Sequence, residues 1–142
     1  MTPTQLTDDN VNTVTKYVLI VDDDKDDQHF LRGALEHEVP YLLVESVFDG
    51  DEAIDFLSKC ESMPNLILLD LNMQRLSGQQ TIKLIKANEN LRQVPVVIIT
   101  TSRNKTEREK LLEMGAAGFY TKASKKAELE KLVSEIRKKW LD

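Results

Sequence analysis

Hydrophobic and polar positions along this chain fall into blocks that alternate between two periods. Tyr17–Val21, YVLIV, is a continuous apolar run rich in β-branched residues. Strands buried on both faces have this composition, and they belong to parallel sheets covered by helices. After the polar stretch DDDKDD, Phe30, Leu31, Ala34 and Leu35 recur at helical spacing and predict an amphipathic helix over roughly residues 26–38, ended by Pro40. Residues 41–47 predict a second strand, with Leu42, Val44 and Val47 apolar and Glu45 and Ser46 between them. Asp49, Gly50, Asp51 and Glu52 have the spacing of a capping box, and Ala53, Ile54 and Leu57 give the following helix its apolar stripe, which ends near Cys60. Leu66–Asp70 is a third strand, and Ile82, Leu84, Ile85 and Ala87 mark a helix over about 78–88, with Gly78 in the turn before it. Residues 94–99 form a fourth strand with Pro95 near its start, where proline is tolerated. Asn104 with Glu107 caps a helix running to about Met114, Gly115 and Gly118 bracket a turn, and residues 119–121 make a short fifth strand. Ser124 is placed to cap the last helix, whose stripe is Leu129, Leu132, Val133, Ile136 and Trp140.

Five strand–helix units of this size imply an α/β fold, a doubly wound parallel sheet with right-handed crossovers. The 142 residues suit one domain, with residues 1–15 read as a flexible N-terminal tail and 16–142 as the folded unit. In such a fold the ligand site lies outside the carboxyl ends of the strands, where the strand order reverses.

Composition narrows the functional classes. Apolar residues make up 41% and charged residues 30%, an ordinary soluble balance, and the net charge of −5 argues against sequence-independent nucleic-acid binding. The basic residues near the C-terminus are interleaved with Glu128, Glu130 and Glu135, which describes a solvated helix face. No apolar run reaches membrane-spanning length and the N-terminus lacks a signal-peptide core, so no membrane partner and a cytoplasmic location are expected. Cys60 is the one cysteine, which rules out an internal disulfide and a Cys/His zinc cluster.

The chemistry sits at the strand ends. The first strand ends in Asp22 and Asp23, the third in Asp70, the fourth in Thr100 and Thr101, and the fifth runs into Lys122. Parallel strands bring these ends to one edge of the sheet. A like-charged pair about 4 Å apart repels by roughly 4 kcal/mol at an effective dielectric near 20, and one lysine does not neutralise three acids. Oxygen ligands alone suit Mg²⁺. Asp70, after four apolar residues and beside a cation and a lysine, is suited to act as a nucleophile toward phosphorus. Asp24, Asp26 and Asp27 read as acids favoured by a helix N-terminus, and His29 and His37 as solvated.

VDDD at 21–24, LLDLNM at 68–73, IITTS at 98–102 and YTK at 120–122 occur in order, each at a strand end. In these motifs the chain resembles the receiver domain of two-component response regulators, over roughly residues 16–140. TTS and the absence of an output domain resemble the small stand-alone, CheY-like receivers, including those paired with phytochrome-type kinases. The resemblance implies a flavodoxin-like (βα)5 fold with strand order 2-1-3-4-5. It implies Asp70 as phosphoacceptor, with Asp23, Asp70 and the backbone carbonyl of Asn72 ligating Mg²⁺ directly and Asp22 acting through metal-bound water. Lys122 would hold the phosphoryl group, Thr100 would move toward it, Phe119 would be the switch aromatic, and Asn72 and Ser102 would tune the lifetime of the phosphorylated state. A histidine kinase or phosphotransfer protein would be the donor. The output would be a contact with a downstream protein, from a monomer or weak homodimer that is not an enzyme beyond dephosphorylating itself. Two positions depart from the pattern: Gln74 and Ala123 stand where the family usually has proline. A receiver-like interaction module that no longer switches is the first alternative. An aspartate-nucleophile phosphatase of the haloacid-dehalogenase type, using the Asp22/Asp24 spacing, is the second.

Overall fold

The computed structural model describes residues 16–142, so the expected tail at 1–15 lies outside the described residues. Five strands alternate with five helices: β1 Tyr17–Val21, α1 Lys25–Glu38, β2 Leu43–Val47, α2 Gly50–Lys59, β3 Leu66–Leu69, α3 Gly78–Ala87, β4 Val96–Thr100, α4 Lys105–Glu113, β5 Gly118–Thr121 and α5 Lys126–Ile136. A π-helical turn, Arg137–Leu141, continues α5. All strand pairs are parallel, in the order β2-β1-β3-β4-β5. β3 is central, which places the residue after Leu69 at the middle of the sheet edge.

The unbroken apolar runs arise because both sheet faces are covered. Leu19, Val21, Ile67, Leu69, Val96 and Ile98 face α2, α3 and α4, where they meet Ala53, Leu57, Ile82, Ile85 and Leu111. The alternate residues Val18, Ile20, Leu66, Leu68, Val97 and Ile99 face α1 and α5, where they meet Leu31, Leu35, Leu132, Val133 and Ile136. Each fully buried side chain of this size contributes about 1.5–3 kcal/mol relative to exposure. The burial therefore fixes the strand register and with it the position of every strand end.

Several local features differ from the sequence reading, among them β3, which ends at Leu69, one residue short of Asp70. β2 starts at Leu43 rather than 41, because Tyr41 takes a positive φ of 72°, which extended strand backbone does not permit. β4 starts at Val96 rather than 94, since the Val94 N–H closes a turn onto Leu91. Ser124 does not cap α5: Lys125 occupies that position without a side-chain bond, and Glu128 instead accepts hydrogen bonds from the Ser124 N–H and hydroxyl. At α2, Asp49 accepts from the Glu52 N–H as expected, but Glu52 reaches back to the Phe48 N–H.

Candidate functional site

Each group at the site is carried to the sheet edge by its strand. The Asp22 N–H donates to Val47 and the Asp70 N–H to Val21, so parallel pairing continues one residue past β1 and β3 and locks both acids in place. α1 starts beside them. Asp24 caps it by accepting from the Asp27 N–H at 2.9 Å. Gln28 is buried in its first turns, and its Nε2 donates to the carbonyls of Ile20, Asp22 and Val47 at 3.3, 3.2 and 2.7 Å. That one amide ties the ends of β1 and β2 to α1. Beyond Asp70 the chain does not leave the core: Leu71 and Met73 are buried, and Gly78 packs against the backbone at 70–71.

The predicted groups converge. Asp22 and Asp70 are buried, Asp23 is exposed, and one carboxylate oxygen from each lies within 4.8 Å of the others. Lys122 Nζ lies 2.9 Å from Asp22 Oδ2 and 3.5 Å from Asp70 Oδ2. Thr100 is fully buried, and its hydroxyl oxygen accepts from the Ser102 N–H at 3.3 Å. Ser102 in turn accepts from the Asn104 N–H at the start of α4. Asn72 is exposed on the loop after Asp70. Phe119 is half-buried opposite Ile98, packed against the α2–α4 core rather than at the acids. No described peptide bond is cis, so Lys122–Ala123 is trans, and the ammonium still reaches the acids.

Electrostatics make the cluster unstable on its own. Burial, with the Asp22 charge adding to it, pushes the Asp70 carboxyl up to about 6 against the opposing pull of Lys122. Burial also raises Asp22, opposed by the Asp24 N–H and by Lys122. Burial alone would lower the Lys122 ammonium, but bonds to Asp27 and Asp22 and the charges of Asp22 and Asp70 outweigh it and raise it. Lys122 therefore stays charged, and two buried acids remain under-compensated. Asp70 Oδ1 is buried with no hydrogen-bond partner. An orphaned carboxylate oxygen beside two further carboxylates is the donor set a hard divalent cation takes.

Two residues at the site are missed by the sequence reading. Asp27 reads in the sequence as an acid favoured by the helix dipole, yet its Oδ2 lies 2.7 Å from Lys122 Nζ. Its signal was position: three residues after the capping Asp24, on the first turn above the strand ends. Gln28 shares a stripe with Leu31 and Leu35, and a polar residue on a core-facing stripe marks a buried hydrogen-bonding role. Asp24, the second acid of the phosphatase-type spacing, is exposed and occupied in capping α1.

The response regulator receiver domain family matches residues 18–134. The response regulator Rcp1 of Synechocystis sp. is 33% identical over 137 residues, covering 89% of this chain and 90% of that protein. The crystal structure of the phosphorylated cyanobacterial phytochrome response regulator RcpA superposes with a TM-score of 0.85 at 30% identity, covering 91% of this chain and 96% of that one. The Mn²⁺-bound form of Rcp1 superposes with a TM-score of 0.81 at 32% identity, covering 89% and 95%.

Proposed function

Because the chain belongs to the response regulator receiver family of two-component signalling, we propose that Asp70 is its phosphoacceptor and that the groups around it serve that transfer. The observation that carries this reading is the buried Asp70 carboxylate, with one oxygen unpartnered and the other 3.5 Å from Lys122, at the end of the central strand. A carboxylate held ionised in an apolar setting with one free oxygen is a competent nucleophile toward phosphorus.

Asp22, Asp23, Asp70 and the backbone carbonyl of Asn72 would hold Mg²⁺, which when bound supplies positive charge against the phosphoryl oxygens. The remaining work falls to this chain's own groups. Lys122 offers an ammonium to a phosphoryl oxygen. The Thr100 hydroxyl turns from the Ser102 N–H toward another, which would carry the change into the loop leading to α4. Phe119, on β5 and packed against the α2–α4 core, is the aromatic proposed to respond. Asn72, two residues after Asp70, and Ser102, whose N–H bonds the Thr100 hydroxyl oxygen, act on the lifetime of the phosphorylated state.

A similar structure is that of a phosphorylated phytochrome response regulator, and a histidine kinase or a phosphotransfer protein is the proposed donor to this chain. Residues 16–142 form the receiver, and the output is a contact with a downstream protein, made by a monomer or weak homodimer and without nucleic acid. Among the described residues no helix is long and apolar enough to cross a membrane. The proposed place of action is the cytoplasm. The protein is a signalling acceptor whose catalytic activity is confined to its own phosphorylation and dephosphorylation.

Incubation with phosphoramidate and Mg²⁺, read by intact mass, tests this. The wild type gains one phosphoryl group and Asp70→Asn gains none. No gain under conditions that load a known receiver overturns the proposal and favours the non-switching interaction module.

A further inference from the structure

Lys122 has three carboxylates within reach and holds them unequally. Its Nζ lies 2.7 Å from Asp27 Oδ2, 2.9 Å from Asp22 Oδ2 and 3.5 Å from Asp70 Oδ2. Charge-assisted N–H···O⁻ bonds are normally about 2.7–2.9 Å long. The contact to Asp27 has that length and hydrogen-bond geometry, the one to Asp22 is a close ion pair, and the one to Asp70 is longer. The strongest contact therefore goes to the most exposed of the three acids, with 44% of the Asp27 side chain exposed against 6% for Asp22 and 5% for Asp70. Among the described residues Lys122 is the one cation within ion-pair distance of Asp27. The place of Asp27 is set independently of Lys122. Asp24 holds its backbone N–H at the start of α1, and Gln28 anchors that turn to the ends of β1 and β2.

We infer that Asp27 is a positioning residue, a latch that holds the Lys122 ammonium at the first turn of α1 and restrains its approach to the group on Asp70. This rests on the reading of Asp70 as the phosphoacceptor. With phosphoramidate as donor, which carries its proton on nitrogen at neutral pH, an Asp70 oxygen forms a bond to phosphorus while the P–N bond breaks, and the already protonated nitrogen leaves as ammonia with the bonding electrons. As the phosphoryl oxygens come within reach they compete with Asp27 for the same ammonium. In the wild type, part of their attraction for Lys122 is offset by loss of the Asp27 contact, and without Asp27 that opposing contact is absent.

The test compares phosphorylation rates by intact mass at fixed phosphoramidate and Mg²⁺. Asp27→Asn is expected to react about threefold or more faster than wild type, counting only the mass gain that Asp70→Asn abolishes. Asp27→Glu, which keeps the carboxylate, returns the rate toward wild type. Asp26→Asn removes the same charge from an exposed neighbour that does not touch Lys122, and its rate stays near wild type. Melting temperatures measured alongside confirm that each variant is folded. If Asp27→Asn is no faster than wild type, or Asp26→Asn is equally fast, the latch is overturned while the acceptor reading stands. If the wild type takes up no phosphoryl group, the acceptor reading fails and the latch falls with it.

Discussion

At neutral pH the Asp70 carboxylate is ionised against its surroundings. Burial and the Asp22 charge raise it from 3.8 to about 6, and Lys122 offsets only part of that rise. A carboxyl with a raised folded-state pKa binds its proton more tightly in the folded protein than in the unfolded chain. Its ionised form thus costs stability that is absent below about pH 4, grows between pH 4 and 6, and is complete above pH 6. A shift of this size corresponds to about 3 kcal/mol. Asp70→Asn should therefore stabilise the metal-free protein at pH 7.5 by roughly 1–3 kcal/mol, and the gain should shrink toward pH 4. Urea unfolding in EDTA at both pH values measures it, and a destabilised variant at pH 7.5 contradicts the assignment. Added Mg²⁺ should narrow the difference by stabilising the wild type, because a ligand that binds only the folded state adds to its stability. The convergence of Asp22, Asp23, Asp70, Thr100 and Lys122 was legible from the sequence, since each follows a recognisable strand. The partner of Asp27 was not, because it depends on where a lysine 95 residues away points its ammonium.

At the scale of elements, the loop between β3 and α3 does more than turn the chain. Gly78 is the first residue of α3, and a Cβ there would sit 2.5 Å from the Asp70 carbonyl oxygen and 2.5 Å from Leu71 Cα. Both neighbours are backbone and have no rotamer to change. Gly78→Ala should cost about 2–3 kcal/mol, and the strain should fall on the backbone that aims Asp70. A thermal melt and the phosphoramidate rate should both drop, and an unchanged melt would show that the loop can move aside. The sequence predicted a turn role for Gly78; the close approach beneath it follows from how α3 packs on the acceptor loop, which a local pattern does not encode. The same limit explains the helix caps. Asp49 and Asn104 were readable from spacing, and both bond as expected. Ser77 with Gln80 forms a full reciprocal box, while Ser124, whose position suits a cap, does not make one.

For the whole molecule, the arrangement of charge follows from the sheet. Five parallel strands in the order β2-β1-β3-β4-β5 deliver every carboxyl end to one edge, and the apolar runs behind those ends fix them there. The strand runs and helix stripes make this architecture legible in the sequence, because burial on both faces leaves a strong pattern. The boundaries of β2 and β4 shifted because Tyr41 and Val94 respond to turn geometry rather than to hydrophobicity. A molecule built this way signals only if the phosphoryl group favours one conformation of the site and its loops over another. Everything therefore turns on where that group is attached. Borohydride reduces an aspartyl phosphate to a homoserine, so treating the phosphoramidate-loaded protein and mapping its peptides by mass locates the acceptor directly. We predict conversion at position 70 alone, dependent on Mg²⁺ and lost when the divalent cation is chelated before loading. Conversion at Asp22, Asp23 or any other acid, or none in a protein that has gained the mass of a phosphoryl group, would contradict the account.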